Sequence, residues 1–362
     1  MITILQPVVP SYRVALFDRM AEHFGAEFVV YASQQDMGVL THGQDRRTWH
    51  RALGPFRRIL PGFEWQSGAA GIPVGKGDVV VVSGNPRNLA GIVLMLKARA
   101  RGAHVLCWGH YWSSSSGKWR ARLRLTLMQL ADGFVFYTDA EKGEYLAWRG
   151  GAHAKPVFAL NNGLDTRDIR RMRQPYVANE REARVLFIGR ITEKADLGTL
   201  LAALAEPDCK QIGLDVIGNG ELEETARQLA TRLGLGDRVT WHGGTTDEAR
   251  IAKIANRCQA FVYPGSVGLS LIHGLAYGLP VIVHDDRWQH MPEFAAMEPG
   301  VNGVTFSEGD ATSLAGVLVK LLCEAAQLEA MSRAAVTTTE GSFNTDDMAR
   351  RFCAAIQTIQ TN

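Results

Sequence analysis

Val185-Leu186-Phe187-Ile188-Gly189-Arg190-Ile191-Thr192-Glu193-Lys194 passes from four apolar residues to a glycine, then to a charged loop, and beyond it to a helical pattern over 197–205. A short apolar run that turns on glycine into a helix is the repeating unit of a parallel α/β sheet. Its strands are buried on both faces and so apolar throughout, and its crossovers are helices. The same unit recurs outward in both directions. Upstream, strands are expected at 2–5, 27–31, 78–83, 104–108, 134–138 and 157–160, enough for one sheet. Downstream they are expected at 185–188, 214–217, 239–242, 260–263 and 280–283, with helices near 197–205, 221–234, 248–257, 270–277 and 312–323. Residues 166–183 are polar, charged and broken by Pro175, the character of an interdomain connection. The expected organisation is a domain over 1–165, a connection over 166–183, a second domain over 184–345, and a final helix over 346–362 able to pack back on the first domain. Two open parallel sheets facing one another would gather the loops after their strands around a central cleft, where ligands of such folds bind.

With 362 residues, 46% of them hydrophobic, the chain has material for two sizeable cores. Five cysteines, odd in number and without a CxxC pair, argue against a disulfide framework or a zinc site. Met1 leads directly into strand-like Ile2-Thr3-Ile4-Leu5, and no apolar run approaches the ~20 residues of a spanning helix. The expectation is a cytoplasmic protein. Net charge is +2, but residues 1–155 carry 19 Lys and Arg against 11 Asp and Glu, while residues 156–362 carry 20 against 26. The basic first half is expected to meet an anionic surface or substrate; with no nucleic-acid-binding motif, a membrane fits better than nucleic acid.

Chemistry is sought in the loops after strands. Arg190 and Lys194 share the loop opened by Gly189, where fixed positive charge would stabilise a departing diphosphate; the plainer alternative is a solvated loop. Tyr263-Pro264-Gly265-Ser266-Val267-Gly268-Leu269-Ser270 leaves a strand and enters a helix, so its amides could hold an anion that Gly265 and Gly268 allow to approach; alternatively, Ser270 only caps the helix. Gly218-Asn219-Gly220 looks similar, but Glu221, Glu223 and Glu224 follow it and would repel an anion, so it is read as a turn without phosphate contact. In the first half, Tyr12 and Arg13 follow the first strand, with Arg13 alternatively a solvated helix residue. Gly109-His110-Tyr111-Trp112 places an imidazole and two aromatics where an acceptor would enter. Lys118, Arg120, Arg122 and Arg124 lie on an amphipathic stretch that could rest on anionic lipid, while Leu123, Leu127 and Leu130 pack inward.

The order of these segments resembles glycosyltransferase family 4 over nearly the whole chain. Pro10-Ser11-Tyr12-Arg13 looks like that family's acceptor-side opening and Trp108-Gly109-His110 like its active-site histidine segment. Asn162-Gly163-Leu164-Asp165 resembles its NGxD stretch, and Gly189-Arg190 with Lys194 its GR…K pair holding the donor diphosphate. Gly278-Leu279-Pro280-Val281-Ile282 resembles the GxPVI strand, followed by PE-like Pro292-Glu293 and GxNG-like Gly300-Val301-Asn302-Gly303. The resemblance implies the α/β GT-B fold, two Rossmann-like domains around a cleft, with the nucleotide-sugar donor in the second and the acceptor in the first. It implies a retaining transferase without metal or cofactor, making cell-surface polysaccharide from a UDP- or GDP-sugar and a glycan or lipid-linked acceptor; the basic stretch at Lys118, Arg120, Arg122 and Arg124 adds the expectation of a peripheral place on the inner face of the cell membrane. His110, Arg190 and Lys194 would be catalytic; Gly189, Gly265, Gly268, Leu269, Ser270 and His273 would bind donor; Tyr12, Arg13 and Tyr111 would line the acceptor side. The family's EX7E motif departs here, with Gly265 and His273 standing where the two glutamates fall. His273 is expected to aim its ring at the nucleotide ribose in place of the second. The rivals are a nucleotide-sugar epimerase of the same architecture and a degenerate subunit supporting an active transferase.

Overall fold

The computed structural model describes residues 1–34, 47–110, 126–150 and 155–361. Tyr111 and the stretch bearing Lys118, Arg120, Arg122 and Arg124 lie outside the described residues. The chain divides into two compact units, Met1–Asp165 with Thr345–Asn362, and Thr166–Asn344.

In the first unit, β1 (Ile2–Leu5), β2 (Phe28–Ser33), β3 (His50–Leu53), β6 (Val79–Ser83), β7 (His104–Trp108), β8 (Gly133–Phe136) and β9 (Val157–Ala159) form a parallel sheet in the order β3-β2-β1-β6-β7-β8-β9. Strand alternation splits its side chains between two cores. Ile2, Ile4, Val79 and Val81 pack with α1 (Ser11–Phe24) and with the last helix of the chain, α11 (Thr345–Gln360). Leu5, Val80 and Val82 pack with α2 (Leu89–Ala100) and with Tyr145 of α3 (Asp139–Trp148). Three strands were not expected. Strand β3, His50-Arg51-Ala52-Leu53, sits at the sheet edge with two exposed residues, so neither burial nor alternation marks it. The antiparallel hairpin of β4 (Phe56–Leu60) and β5 (Phe63–Gln66) turns at Gly62 and is mostly exposed along β4.

The second unit begins with α4 (Arg167–Met172) and carries the parallel sheet β12-β11-β10-β13-β14-β15. Its strands are β10 (Arg184–Ile188), β11 (Gly213–Ile217), β12 (Val239–Trp241), β13 (Ala260–Tyr263), β14 (Val281–His284) and β15 (Gly303–Phe306). The flanking helices are α5 (Leu197–Ala205), α6 (Glu223–Arg232), α7 (Glu248–Ala255), α8 (Leu269–Ala276), α9 (Ala311–Leu322) and α10 (Ala325–Gly341). Strand β15 and helix α10 were also unexpected; α10 buries Leu328 and Met331, but the rest of its inner face is Ser332, Ala335 and Thr339, which weakens the apolar stripe.

Residues 166–183 belong to this unit rather than standing apart from it. Arg181 is buried, donates to the Ala255 (3.0 Å) and Cys258 (2.8 Å) carbonyls, and lies 4.2 Å from the Tyr176 ring centroid. Most of the segment's charged residues are exposed, and its hold on the unit comes through Arg181 and the Tyr176 hydroxyl, which donates to the Gln259 carbonyl at 2.5 Å. A second buried network centres on Asp215 of β11, which accepts from Arg184 Nε (2.6 Å), His242 Nε2 (2.6 Å) and an Arg257 guanidinium nitrogen (2.7 Å). Burial alone would raise the Asp215 carboxyl, and these bonds outweigh it and hold the group below its ordinary value. All five cysteines are free thiols. Among the described residues no single helix is long and apolar enough to cross a membrane.

Candidate active site

Strand order in the second sheet reverses at β10, which has β11 on one side and β13 on the other. Helices after neighbouring strands then leave on opposite faces, and a crevice opens beyond the carboxyl ends of β10 and β13. Three loops meet there. The loop after β10 carries Gly189, Arg190 and Lys194, with both cations exposed. The loop after β11 supports it from below: Ile191 N–H donates to the Asn219 carbonyl at 2.8 Å, and a Cβ on Gly218 would lie 1.8 Å from the Gly189 carbonyl oxygen. The Gly218-Asn219-Gly220 turn thus serves close backbone packing, and the first turn of α6 beside it carries Glu223 and Glu224.

The loop after β13 closes over the cation loop from the other side. Ser266 N–H donates to the Lys194 carbonyl at 2.8 Å, and a Cβ on Gly265 would stand 2.1 Å from that same oxygen. Gly265 is therefore required by the backbone approach, and position 265 has no room for the glutamate of the EX7E pattern. Helix α8 begins at Leu269, one residue earlier than expected, with Gly268 as its N-cap, no capping side chain and no acidic residue in its first turn. Ser270 does not cap it. Instead Ser270 Oγ faces the cation loop, 3.5 Å from where a Gly189 Cβ would be. Burial raises the Tyr263 hydroxyl, opposed by the charge of nearby Arg190. Gly189, Arg190, Lys194, Gly265, Gly268, Leu269 and Ser270 thus lie together beyond the carboxyl ends of β10 and β13, two exposed cations beside a helix start, with Glu293 Oε2 3.7 Å from where a Gly268 Cβ would be; cations so placed are of the kind that pair with phosphate.

His273 lies one turn further along α8, and its ring is not directed simply outward. Its Nε2 donates to Glu248 Oε1 on α7 at 3.0 Å, and it stacks on Tyr277, whose hydroxyl donates to the same oxygen at 2.5 Å. Burial would raise the Glu248 carboxyl; the His273 and Tyr277 bonds and the His273 charge outweigh it and keep the group low. A carboxylate only accepts, so Nε2 carries the proton of this bond, and Nδ1 is an acceptor in the form of the ring that carries no second proton. Glu248 escaped the sequence reading because it is separated from position 273 by a whole strand and loop.

In the first unit Tyr12 is exposed, but Arg13 is not the solvated residue considered above. It is buried, donates to Met348 Sδ at 3.2 Å and lies 4.8 Å from the Trp108 ring centroid, between its own sheet and α11. His110 follows β7 with its Nδ1 3.1 Å from Glu141 Oε1 and its ring 4.4 Å from that of Tyr137. Glu141 is buried and also accepts from Tyr137 N–H at 3.2 Å. Thr138 accepts from Glu141 N–H at 3.2 Å and caps α3, an arrangement readable from the Thr138-x-x-Glu141 spacing.

Residues 168–337 match the family model described as Glycosyl transferases group 1. The chain is 29% identical over 174 residues to the amylovoran biosynthesis glycosyltransferase AmsK of Erwinia amylovora, an alignment covering 44% of this chain and 41% of that protein. It superposes on a glycosyltransferase of Rickettsia africae with a TM-score of 0.72 at 13% identity, covering 100% of this chain and 98% of that one. Anabaena HepE in complex with UDP gives 0.69 at 16% identity, and the lipopolysaccharide outer core galactosyltransferase WaaB 0.69 at 14%, each covering 99% of both chains. The fold is GT-B, and the cluster built above lies within the residues that match the family model. The other sequence elements of the resemblance have structural reasons here: Gly278, at φ +71°, ends α8 in a left-handed turn before β14, and Asn302 ties its loop through bonds to the Ala296 carbonyl and Thr338.

Proposed function

We propose that this chain is a metal-independent, cofactor-free retaining glycosyltransferase that moves a hexose from a UDP- or GDP-sugar to a glycan or lipid-linked glycan in cell-surface polysaccharide synthesis. The observation that carries the reading is the single cluster formed by Arg190, Lys194 and the uncapped, acid-free start of α8 at the switch point of the second sheet. A glycosyl diphosphate leaves as an anion, and such a cluster supplies positive charge in place before the bond breaks. UDP in the Anabaena HepE complex and amylovoran biosynthesis in the AmsK name support the donor and pathway class. Arg190, Lys194 and the Gly268–Ser270 amides stabilise the departing nucleoside diphosphate as the acceptor hydroxyl attacks the sugar carbon from the same face and passes its proton to the leaving phosphate oxygen. His110, oriented by Glu141, positions donor sugar or acceptor and is not a covalent nucleophile. Tyr12, Arg13 and Tyr111 belong to the acceptor side, Arg13 through packing rather than contact. His273 takes a ribose hydroxyl on Nδ1, its Nε2 being committed to Glu248. The protein works in the cytoplasm against the inner face of the cell membrane, through Lys118, Arg120, Arg122 and Arg124.

The test is incubation of the purified chain with a panel of UDP- and GDP-sugars. A transferase releases nucleotide slowly, and faster when acceptor is added. Appearance of a new sugar without nucleotide release, or no turnover with any donor, overturns the reading.

A further inference from the structure

The turn that starts α8 contains two glycines and lacks a side-chain cap, so its shape must be imposed from elsewhere. One side chain that bonds its backbone is His290. Val267 N–H donates to His290 Nδ1 at 3.2 Å, and the Val267 carbonyl accepts from Met291 N–H at 2.9 Å. Both polar groups of the residue before Gly268 are thus taken by two successive residues of one segment. Met291 also packs on the turn, its Cγ 3.3 Å from where a Gly268 Cβ would be.

His290 is itself held on every side. Its Nε2 donates to the His284 carbonyl at 3.0 Å, at the end of β14, so the proton is on Nε2 and Nδ1 is a permanent acceptor. The ring is 4% exposed, stacked between His284 (3.8 Å) and Phe294 (4.3 Å). Burial pushes it down to about 4, so it is neutral at physiological pH and the acceptor is retained. An imidazole fixed by the carbonyl at a strand end and by two rings is more than packing requires of a core residue.

We propose that His290 is a positioning residue of the donor site: by holding Val267 it sets the Gly268–Ser270 backbone at the spacing a nucleotide diphosphate needs. The inference rests on the reading of that helix start as the diphosphate site. A loose glycine turn can still bind an anion, but must first be ordered, and the cost appears as weaker donor binding.

The experiment uses the full chain and UDP or GDP, whichever it binds, as probe. His290→Phe keeps a flat ring for the stack and removes the acceptor; His290→Asn removes the ring and returns an oxygen near the Nδ1 position. Affinity is measured by calorimetry, hydrogen exchange at residues 267–270 by mass spectrometry, and donor KM and kcat separately. The Phe variant is expected to weaken nucleotide binding about 3- to 10-fold, the worth of one hydrogen bond, and to speed exchange at 267–270. Its donor KM should rise more than kcat falls, with the Asn variant recovering most of the loss. His290→Leu carries the same comparison if the Phe variant does not fold. Folded Phe or Leu variants that bind nucleotide as the wild type does, or an Asn variant no better than Phe, overturn the positioning role. A wild-type chain that binds neither nucleotide overturns instead the diphosphate reading on which it stands.

Discussion

At the scale of single residues, charge and close backbone contact decide what the donor loops can do. Arg190→Ala and Lys194→Ala are each expected to lower kcat by on the order of 10²–10³ with the fold intact, because the charge they meet grows as the sugar–phosphate bond breaks. Near-wild-type turnover at saturating donor in either variant rules out the diphosphate role. Gly265→Glu, which introduces the glutamate of the EX7E pattern, is expected to gain nothing: a side chain there collides with the Lys194 carbonyl, 2.1 Å from the Cβ position. The variant should have a lower Tm and slower turnover, and a faster enzyme of unchanged Tm would show that the loops open freely. His273→Ala leaves Glu248 without one of its two donors, so Tm should fall whether or not ribose is bound. The ribose role requires in addition a higher donor KM, by roughly 0.5–1.5 kcal/mol; a fall in Tm with KM unchanged would falsify it. The low-lying Glu248 carboxyl contributes stability above the usual carboxylate range and loses it as pH falls through its lower folded value. The Tm difference between wild type and Glu248→Gln should therefore shrink below about pH 4, which thermal melts from pH 3 to 7 would register.

At the scale of elements, the last helix has the largest structural consequence. Helix α11 buries Met348, Phe352, Ile356 and Ile359 in the core of the first unit, where Phe352 meets Trp108 edge-on at 5.1 Å. Its spacing of apolar residues is that of a helix with one buried face. Phe352→Ala removes a ring with no exposure to water and should cost about 3–5 kcal/mol of stability. Urea unfolding followed by hydrogen exchange should show the earlier transition confined to Met1–Asp165 and the last helix, with residues 166–344 unaffected. A loss spread evenly over both units would mean that the two fold as one cooperative body. The same packing explains Arg13: its neighbour Met348 comes from α11, more than three hundred residues away in the chain.

At the scale of the whole molecule, charge is unevenly distributed, with 19 Lys and Arg against 11 Asp and Glu in residues 1–155 and the opposite excess in the remainder. Binding to anionic vesicles should be measurable by sedimentation and should weaken as salt rises, since attraction between exposed charges is screened within about 10 Å at 0.1 M. Substituting Lys118, Arg120, Arg122 and Arg124 together should abolish the difference between anionic and neutral vesicles; equal sedimentation of the wild type with both would refute the membrane surface. The sequence by itself determined the two parallel sheets, because strands buried on both faces leave continuous apolar runs such as Val185–Ile188, and it placed Arg190, Lys194 and the Gly265–Ser270 turn in loops after strands, because glycine and charge end such runs. It did not reveal the exposed β3 edge or the β4–β5 hairpin, whose residues are not sorted by burial. Only the tertiary structure decided that residues 166–183 pack by hydrogen bonds into the second unit, that position 265 is sterically closed, and that His273 answers to Glu248 and Val267 to His290. Each of these is a contact between loops or helices distant in the chain, and residue type and local spacing carry no record of which distant backbone or side chain will arrive within 3 Å.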